Sequence, residues 1–136
     1  MNPENHEDSF EVTSNTDVVR IRDEGRALAK EHGFSVNEQT LIATAISEVC
    51  RNIIEYAGTG SVTFRVLRSK NGIGIEITAT DNGPGIMDIS RAMEDGYTTG
   101  KGMGLGLPGV KRIMDQFELI SGMGEGTTVK MAKWRD

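Results

Sequence analysis

Hydrophobic and polar positions change rhythm several times along the chain, and each change marks an element. Residues 9–13 alternate Phe10 and Val12 with polar neighbours, the period of a short strand. Ser14, with Asp17 three residues on, has the form of a helix start. Val18, Ile21, Gly25, Leu28 and Ala29 then keep a helical period to about His32. Gly33 before Phe34 stops that helix with a residue suited to the left-handed conformation. Ser35 and Glu38 form a second capping box, and Leu41, Ile42, Ala45, Ile46, Val49, Ile53 and Tyr56 carry a long helix over 35–56. The period shortens to two over 61–68 and 73–80, joined at Lys70-Asn71-Gly72, a strong hairpin signal. A short helix over 88–95, a glycine-rich loop, a helix over 107–116 and strands over 117–121 and 127–133 complete the pattern. Helices grouped apart from hairpins predict an α/β (α+β) two-layer sandwich with a mostly antiparallel sheet. Residues 1–8 read as a flexible acidic tail, and 9–136 as a single domain.

Composition narrows the function classes. At 136 residues and 37 % hydrophobic content the chain suits one domain with its own core. No apolar run approaches the roughly 20 residues that span a bilayer. Residues 1–9 lack the basic-then-apolar order of a signal peptide. The single cysteine, Cys50, leaves no internal disulfide and no cysteine-based zinc site. These features point to a cytoplasmic protein without membrane association. The net charge of −5, with no basic stripe or aromatic ladder, argues against nucleic acid as a partner. An acidic chain that binds a polyanion must gather its positive groups locally and recruit a metal cation.

Glycine is concentrated in three late clusters: Asp81-Asn82-Gly83-Pro84-Gly85, the run from Gly100 through Gly102, Gly104 and Gly106 to Gly109, and Gly122-Met123-Gly124-Glu125-Gly126-Thr127. Any one of them reads as turn punctuation. Together, one led by an aspartate and one containing Lys101, they suit a nucleotide pocket, because bare backbone N–H groups before a helix attract phosphate. Gly104, Gly106 and Gly109 spell a literal G-x-G-x-x-G, but no strand precedes it and no crossover follows, so a dinucleotide fold is excluded. Lys101, Lys111 and Arg112 are the basic residues near the loop that could meet phosphate. On the 35–56 helix, Glu48, Asn52 and Glu55 share a stripe flanking the apolar face. Asn52 offers a hard oxygen for Mg²⁺, and Glu48, one turn away, a carboxylate able to accept a hydroxyl proton. An ordinary solvated helix face is the better explanation of that pair when it is taken alone. Asp81 could accept from the exocyclic amine of adenine or simply close an Asx turn. Thr127 could support the same base contact or merely favour its strand.

In order, Glu48-x-x-x-Asn52, Asp81-x-Gly83-x-Gly85, the loop ending Gly104-Leu105-Gly106, and Gly124-x-Gly126-Thr127 resemble the GHKL ATPase/kinase superfamily. The resemblance runs from Asp17 onward and is greatest to the anti-sigma regulatory serine/threonine kinases, within them to the stressosome switch kinases. It implies a Bergerat ATP-binding fold, a mixed sheet with helices on one face and ATP beneath a glycine-rich lid. It further implies Glu48 as general base, Asn52 as Mg²⁺ ligand, and Asp81 as adenine reader with Gly83, Gly85 and Thr127 shaping that pocket. Gly102, Gly104 and Gly106 become lid donors to phosphate. No arginine lies between Arg91 and Arg112, where Lys101 could stand in for a lid arginine as a point charge, and the departure favours the switch-kinase branch. The implied activity is ATP- and Mg²⁺-dependent phosphorylation of serine or threonine on STAS-domain scaffold proteins, with activation of a PP2C-type phosphatase once the kinase is released. An anti-sigma factor kinase and a nucleotide-gated binding switch with little catalysis are the alternatives. Arg51, beside Asn52, is a candidate partner contact.

Overall fold

The computed structural model of the chain describes residues 7–70, 72–83, 106–122 and 124–136. Local chemistry sets the helix starts. Helix α1 (Asn15–Glu31) begins after Ser14, whose N–H donates to the Asp17 carboxylate at 3.2 Å, while the Thr13 N–H donates to it at 2.9 Å. The backbone N–H and hydroxyl of Thr13 do most to hold the Asp17 carboxyl below the usual carboxylate range. Helix α2 (Val36–Tyr56) opens with a reciprocal box: the Glu38 N–H donates to Ser35 Oγ at 3.1 Å, and the Ser35 N–H to Glu38 Oε1 at 2.8 Å. Between the helices Gly33 takes φ +81°, as its position in the sequence requires.

Five strands follow the alternating segments: β1 (Glu7–Val12), β2 (Gly60–Ser69), β3 (Gly72–Asp81), β4 (Gln116–Gly122) and β5 (Gly126–Trp134), with α3 (Gly106–Ile113) before β4. Their order across the sheet is β1-β2-β3-β5-β4, and every neighbouring pair is antiparallel. Val62 and Phe64 of β2, Ile75 and Ile77 of β3, and Val129 and Met131 of β5 turn one face towards α1 and α2. Burying each such side chain contributes roughly 1.5–3 kcal/mol. At Gly25 of α1 a Cβ would overlap Ile46 of α2 and lie 3.2 Å from the Phe64 ring. The missing side chain is what lets α1 press into the angle between α2 and the sheet. The opposite face is polar, with the Ser9 and Thr63 hydroxyls 3.0 Å apart and Glu76 paired to Arg65 at 3.0 Å and to Lys130 at 3.8 Å. One wet face and one dry face are what the period-two pattern demands.

Two boundaries and one feature of the sheet differ from expectation. β1 starts at Glu7, inside the segment read as tail, because Glu7 and Asp8 still find partners opposite Arg65 and Phe64. α3 ends at Ile113 rather than near residue 116, since the Asp115 N–H donates to the Ala132 carbonyl at 2.9 Å and Gln116 enters the sheet opposite Ala132. No parallel pair occurs among the described strands, so the sheet there is antiparallel rather than mixed. The helix expected over 88–95 lies outside the described residues.

Candidate functional site

Where β3 and β5 meet the C-terminal half of α2, the two layers part around a cleft with about 320 Å³ of empty space, some of it open to solvent. From α2 come Val49, Asn52, Ile53 and Tyr56, a single stripe at helical spacing. Ala79 and Asp81 enter from the end of β3, Thr127 and Val129 from the start of β5, and Leu107 from α3. The walls are therefore apolar and the polar groups few: Asn52 on the helix side, Asp81 and Thr127 on the sheet side.

Strand register aligns the sheet-side groups. Asp81 stands directly opposite Thr127, and Thr127 opposite Ser121 of β4, so the three form one row across the sheet. Asp81 is buried, and its Oδ1 accepts the Gly83 N–H at 2.9 Å. The residue therefore closes an Asx turn and lines the cleft at the same time. The Ser121 and Thr127 hydroxyls are 2.8 Å apart, and the Ser121 hydroxyl also donates to the Gly126 carbonyl at 3.1 Å.

Absent side chains shape the cradle. A Cβ on Gly126, which has φ +79°, would overlap the Asp81 carbonyl oxygen. On Gly60 it would lie 2.6 Å from the Thr80 carbonyl oxygen and 2.8 Å from Ile53 Cγ2. On Gly83 it would sit 2.7 Å from Ala57 Cβ at the end of α2. The turn after β3 thus packs directly on the helix end, and the start of β5 directly on Asp81.

Glu48 lies one turn before Asn52, at the junction of α2 with α3 and beside the cleft rather than in its wall. It is 7 % exposed. One oxygen accepts Arg51 Nη1 at 2.8 Å, and the other the N–H of Gly106, the first residue of α3, at 3.2 Å. A carboxylate at a helix N-terminus is electrostatically favourable. Arg51 keeps 48 % of its side chain exposed while holding Glu48. Glu55, on the same sequence stripe, is exposed and outside the cleft wall. Lys111 and Arg112 occupy the last turn of α3, at the end opposite Gly106, where their charge complements the helix C-terminus. Gly85, Lys101, Gly102 and Gly104 lie outside the described residues. Cys50 is buried in α2, and burial pushes its thiol up to about 12, which leaves it an inert core residue.

Sequence reasoning brought Asn52, Asp81 and Thr127 to this place but took Val49, Ile53 and Tyr56 for core alone. Their spacing around Asn52 was the available signal, since residues three and four apart share a helix face. Nothing local marks Ser121; only strand pairing brings it to Thr127. Among the described residues no group of three or more His, Cys, Asp or Glu side chains could hold a metal ion. A divalent cation would draw on the Asn52 oxygen, substrate phosphates and water, which is how Mg²⁺ is commonly held.

Residues 11–133 match the family model described as a histidine kinase-like ATPase domain. The chain is 46 % identical over 130 residues to the serine/threonine-protein kinase RsbT of Bacillus subtilis (strain 168), covering 96 % of this chain and 98 % of that protein. It is 34 % identical over 114 residues to an anti-sigma F factor of Caldanaerobacter subterraneus subsp. tengcongensis, with 79 % of this chain and 78 % of the relative covered. Among solved structures, the RsbU and RsbW domains of a Mycobacterium tuberculosis protein align with a TM-score of 0.64 at 16 % identity, over 94 % of this chain and 32 % of that one. The mycobacterial sensor histidine kinase MprB aligns with a TM-score of 0.55 at 18 % identity, over 96 % of this chain and 98 % of that one. At those identities the two structures show the fold. No helix among the described residues is long and apolar enough to cross a membrane.

Proposed function

The chain belongs to the histidine kinase-like ATPase family, and we propose that it is a serine/threonine-protein kinase that transfers the γ-phosphoryl group of ATP to STAS-domain scaffold proteins of a stressosome. The observation that carries this is the meeting of Asp81 and Thr127 with Asn52 across an apolar, glycine-shaped cleft. Val49, Ile53 and Leu107 offer dry surface to the faces of a purine. The Asp81 carboxylate accepts from the exocyclic amine of adenine, with Thr127 beside it. Asn52 supplies an oxygen to Mg²⁺, whose charge shields the phosphates during transfer. Glu48, a turn away, accepts the proton of the attacking serine or threonine hydroxyl. Gly83, Gly85, Lys101, Gly102, Gly104 and Gly106 complete the site in the same reading. Phosphoryl transfer needs mostly positioning and charge neutralisation, which these groups provide.

The identity with RsbT along almost the whole of both chains supports the switch-kinase assignment. In this assignment the protein is cytoplasmic and, once released from the scaffold, binds and activates a PP2C-type phosphatase, and the half-exposed Arg51 is a candidate partner contact. The identity with an anti-sigma F factor favours a second reading, in which the partner is a sigma factor. Incubation with labelled ATP, Mg²⁺ and a purified STAS-domain protein or sigma factor separates them. Labelled phosphoserine or phosphothreonine on the STAS protein is the expected result. Stable capture of the sigma factor with no label on the STAS protein would move the assignment to the second reading, and ATP binding without transfer or sigma capture would leave a nucleotide-gated switch.

A further inference from the structure

We infer that Arg51 is a positioning residue for phosphoryl transfer: it clamps one oxygen of Glu48, so that the other oxygen, on the α3 side, takes the proton of the attacking hydroxyl. The inference rests on the reading of Glu48 as proton acceptor, and adds a residue that acts through Glu48 rather than on the substrate.

A glutamate side chain ends in a broad, loosely held torsion, so a carboxylate that must receive a proton from one direction needs partners of its own. Glu48 has two, from different elements. Arg51, three residues on in α2 and so on the same side of the helix, donates from Nη1 to Oε1 at 2.8 Å. Gly106, the first residue of α3, donates its N–H to Oε2 at 3.2 Å. One bond to each oxygen fixes the plane of the carboxylate as well as its place. The two bonds are unequal. The first is charge-assisted and the shortest ion pair among the described residues, whereas the second comes from a neutral amide at longer range. The guanidinium holds negative charge on Oε1 and stays protonated at every working pH. Oε2 keeps a lone pair beyond the one that meets Gly106. It is therefore the oxygen to which the hydroxyl proton passes, as the hydroxyl oxygen bonds to the γ-phosphorus and ADP departs.

Burial sets this pair apart from the ion pairs of α1. Arg22 and Asp23 keep 38 % and 63 % of their side chains exposed, and such a pair contributes little because water competes for both ends. Glu48 keeps only 9 %, so Arg51 reaches from the half-exposed rim to a carboxylate largely shut off from water. Arg51 is also the one basic residue in α2, so no other side chain of that helix can take over the clamp.

Steady-state phosphoryl transfer from ATP and Mg²⁺ to a purified STAS-domain protein, with rates expressed per folded molecule, tests this. Arg51→Ala should lower kcat roughly 10–10²-fold while KM for ATP and for the acceptor protein stays near that of the parent. Arg51→Lys should restore most of the rate, because the contact is single rather than bidentate and an ammonium can make it. In the Glu48→Gln background Arg51→Ala should cost nothing further, since the two residues act as one unit. A raised KM for the acceptor with kcat intact would make Arg51 a partner contact and overturn the inference. So would losses that multiply in the double variant. Glu48→Gln tells the two levels apart. If it transfers phosphate at the native rate, the proton-acceptor reading fails and takes the inference with it. If it is slow while Arg51→Ala keeps the parent kcat, only the role of Arg51 fails.

Discussion

Glu38 and Glu48 are both buried carboxylates on α2, about three turns apart, and their partners put them in different parts of the molecule's life. Glu38 caps its own helix through the Ser35 N–H at 2.8 Å and reaches the Asp136 N–H at 2.9 Å. Around it the C-terminal residues clasp the fold: Arg135 Nη1 donates to the His32 carbonyl at 2.8 Å, and the Trp134 N–H to Asp115 Oδ2 at 2.7 Å. Each of these bonds joins one backbone segment to another. Glu48 instead holds a half-exposed arginine and the first N–H of α3, beside a cleft shaped by missing side chains. Burial alone would have ranked the two alike. What separates a clasp from a candidate catalytic group is whether its partners lock the chain to itself or border a space that something else can enter.

Three substitutions put that contrast to the test. The largest effect is expected at Glu48. Glu48→Gln keeps the shape and should lower the rate of protein phosphorylation roughly 10²–10⁴-fold, with ATP affinity and thermal stability nearly unchanged. Native-rate transfer by the variant would remove the proton-accepting role. Next comes Gly126→Ala, in which a side chain must occupy a left-handed backbone and the space of the Asp81 carbonyl oxygen. A loss of roughly 2–4 kcal/mol in chemical denaturation, with weakened ATP binding, is expected. A variant as stable as the parent would show that the β5 start can move away from Asp81.

The smallest effect is at Glu38, where Glu38→Gln should cost roughly 1–2 kcal/mol of stability and leave the rate per folded molecule intact. This carboxylate also carries a pH signature. Burial by itself would raise its pKa, but the Ser35 and Asp136 N–H donors outweigh it and hold the carboxyl below its ordinary value of 4.5. A group lowered on folding stabilises at pH above its unfolded value and loses that contribution as the pH falls through the folded one. Acid unfolding of the parent should therefore steepen below about pH 4.5, and the Glu38→Gln variant should lack that component. Superimposable acid transitions would show that Glu38 contributes nothing to it.

Much of this was legible along the chain, for a local reason. The capping pairs Ser14 with Asp17 and Ser35 with Glu38, the stop at Gly33 and the hairpin that pairs Ser69 with Gly72 depend on residues a few positions apart. The motif order carried Asn52, Asp81 and Thr127 because their spacing in sequence reflects fixed positions in the fold. Boundaries were less legible where a distant strand competes. The Asp115 N–H leaves the helical pattern for the Ala132 carbonyl, and no local rule places Ala132 there. Glu38 was legible as a cap but not as a clasp, since its second partner is at the other end of the chain.

Local order along the chain sets the helices and their caps, the alternating strands, the glycine turns and the chemical type of each site residue. All follow from preferences acting within a turn of helix or a pair of neighbouring strands. Long-range packing is what makes Gly126 press on Asp81, the Gly106 N–H answer Glu48, and Ser121 reach Thr127 in a row with Asp81. Those meetings depend on strand register and on how closely the layers pack, and both are set by the burial of the whole core at once.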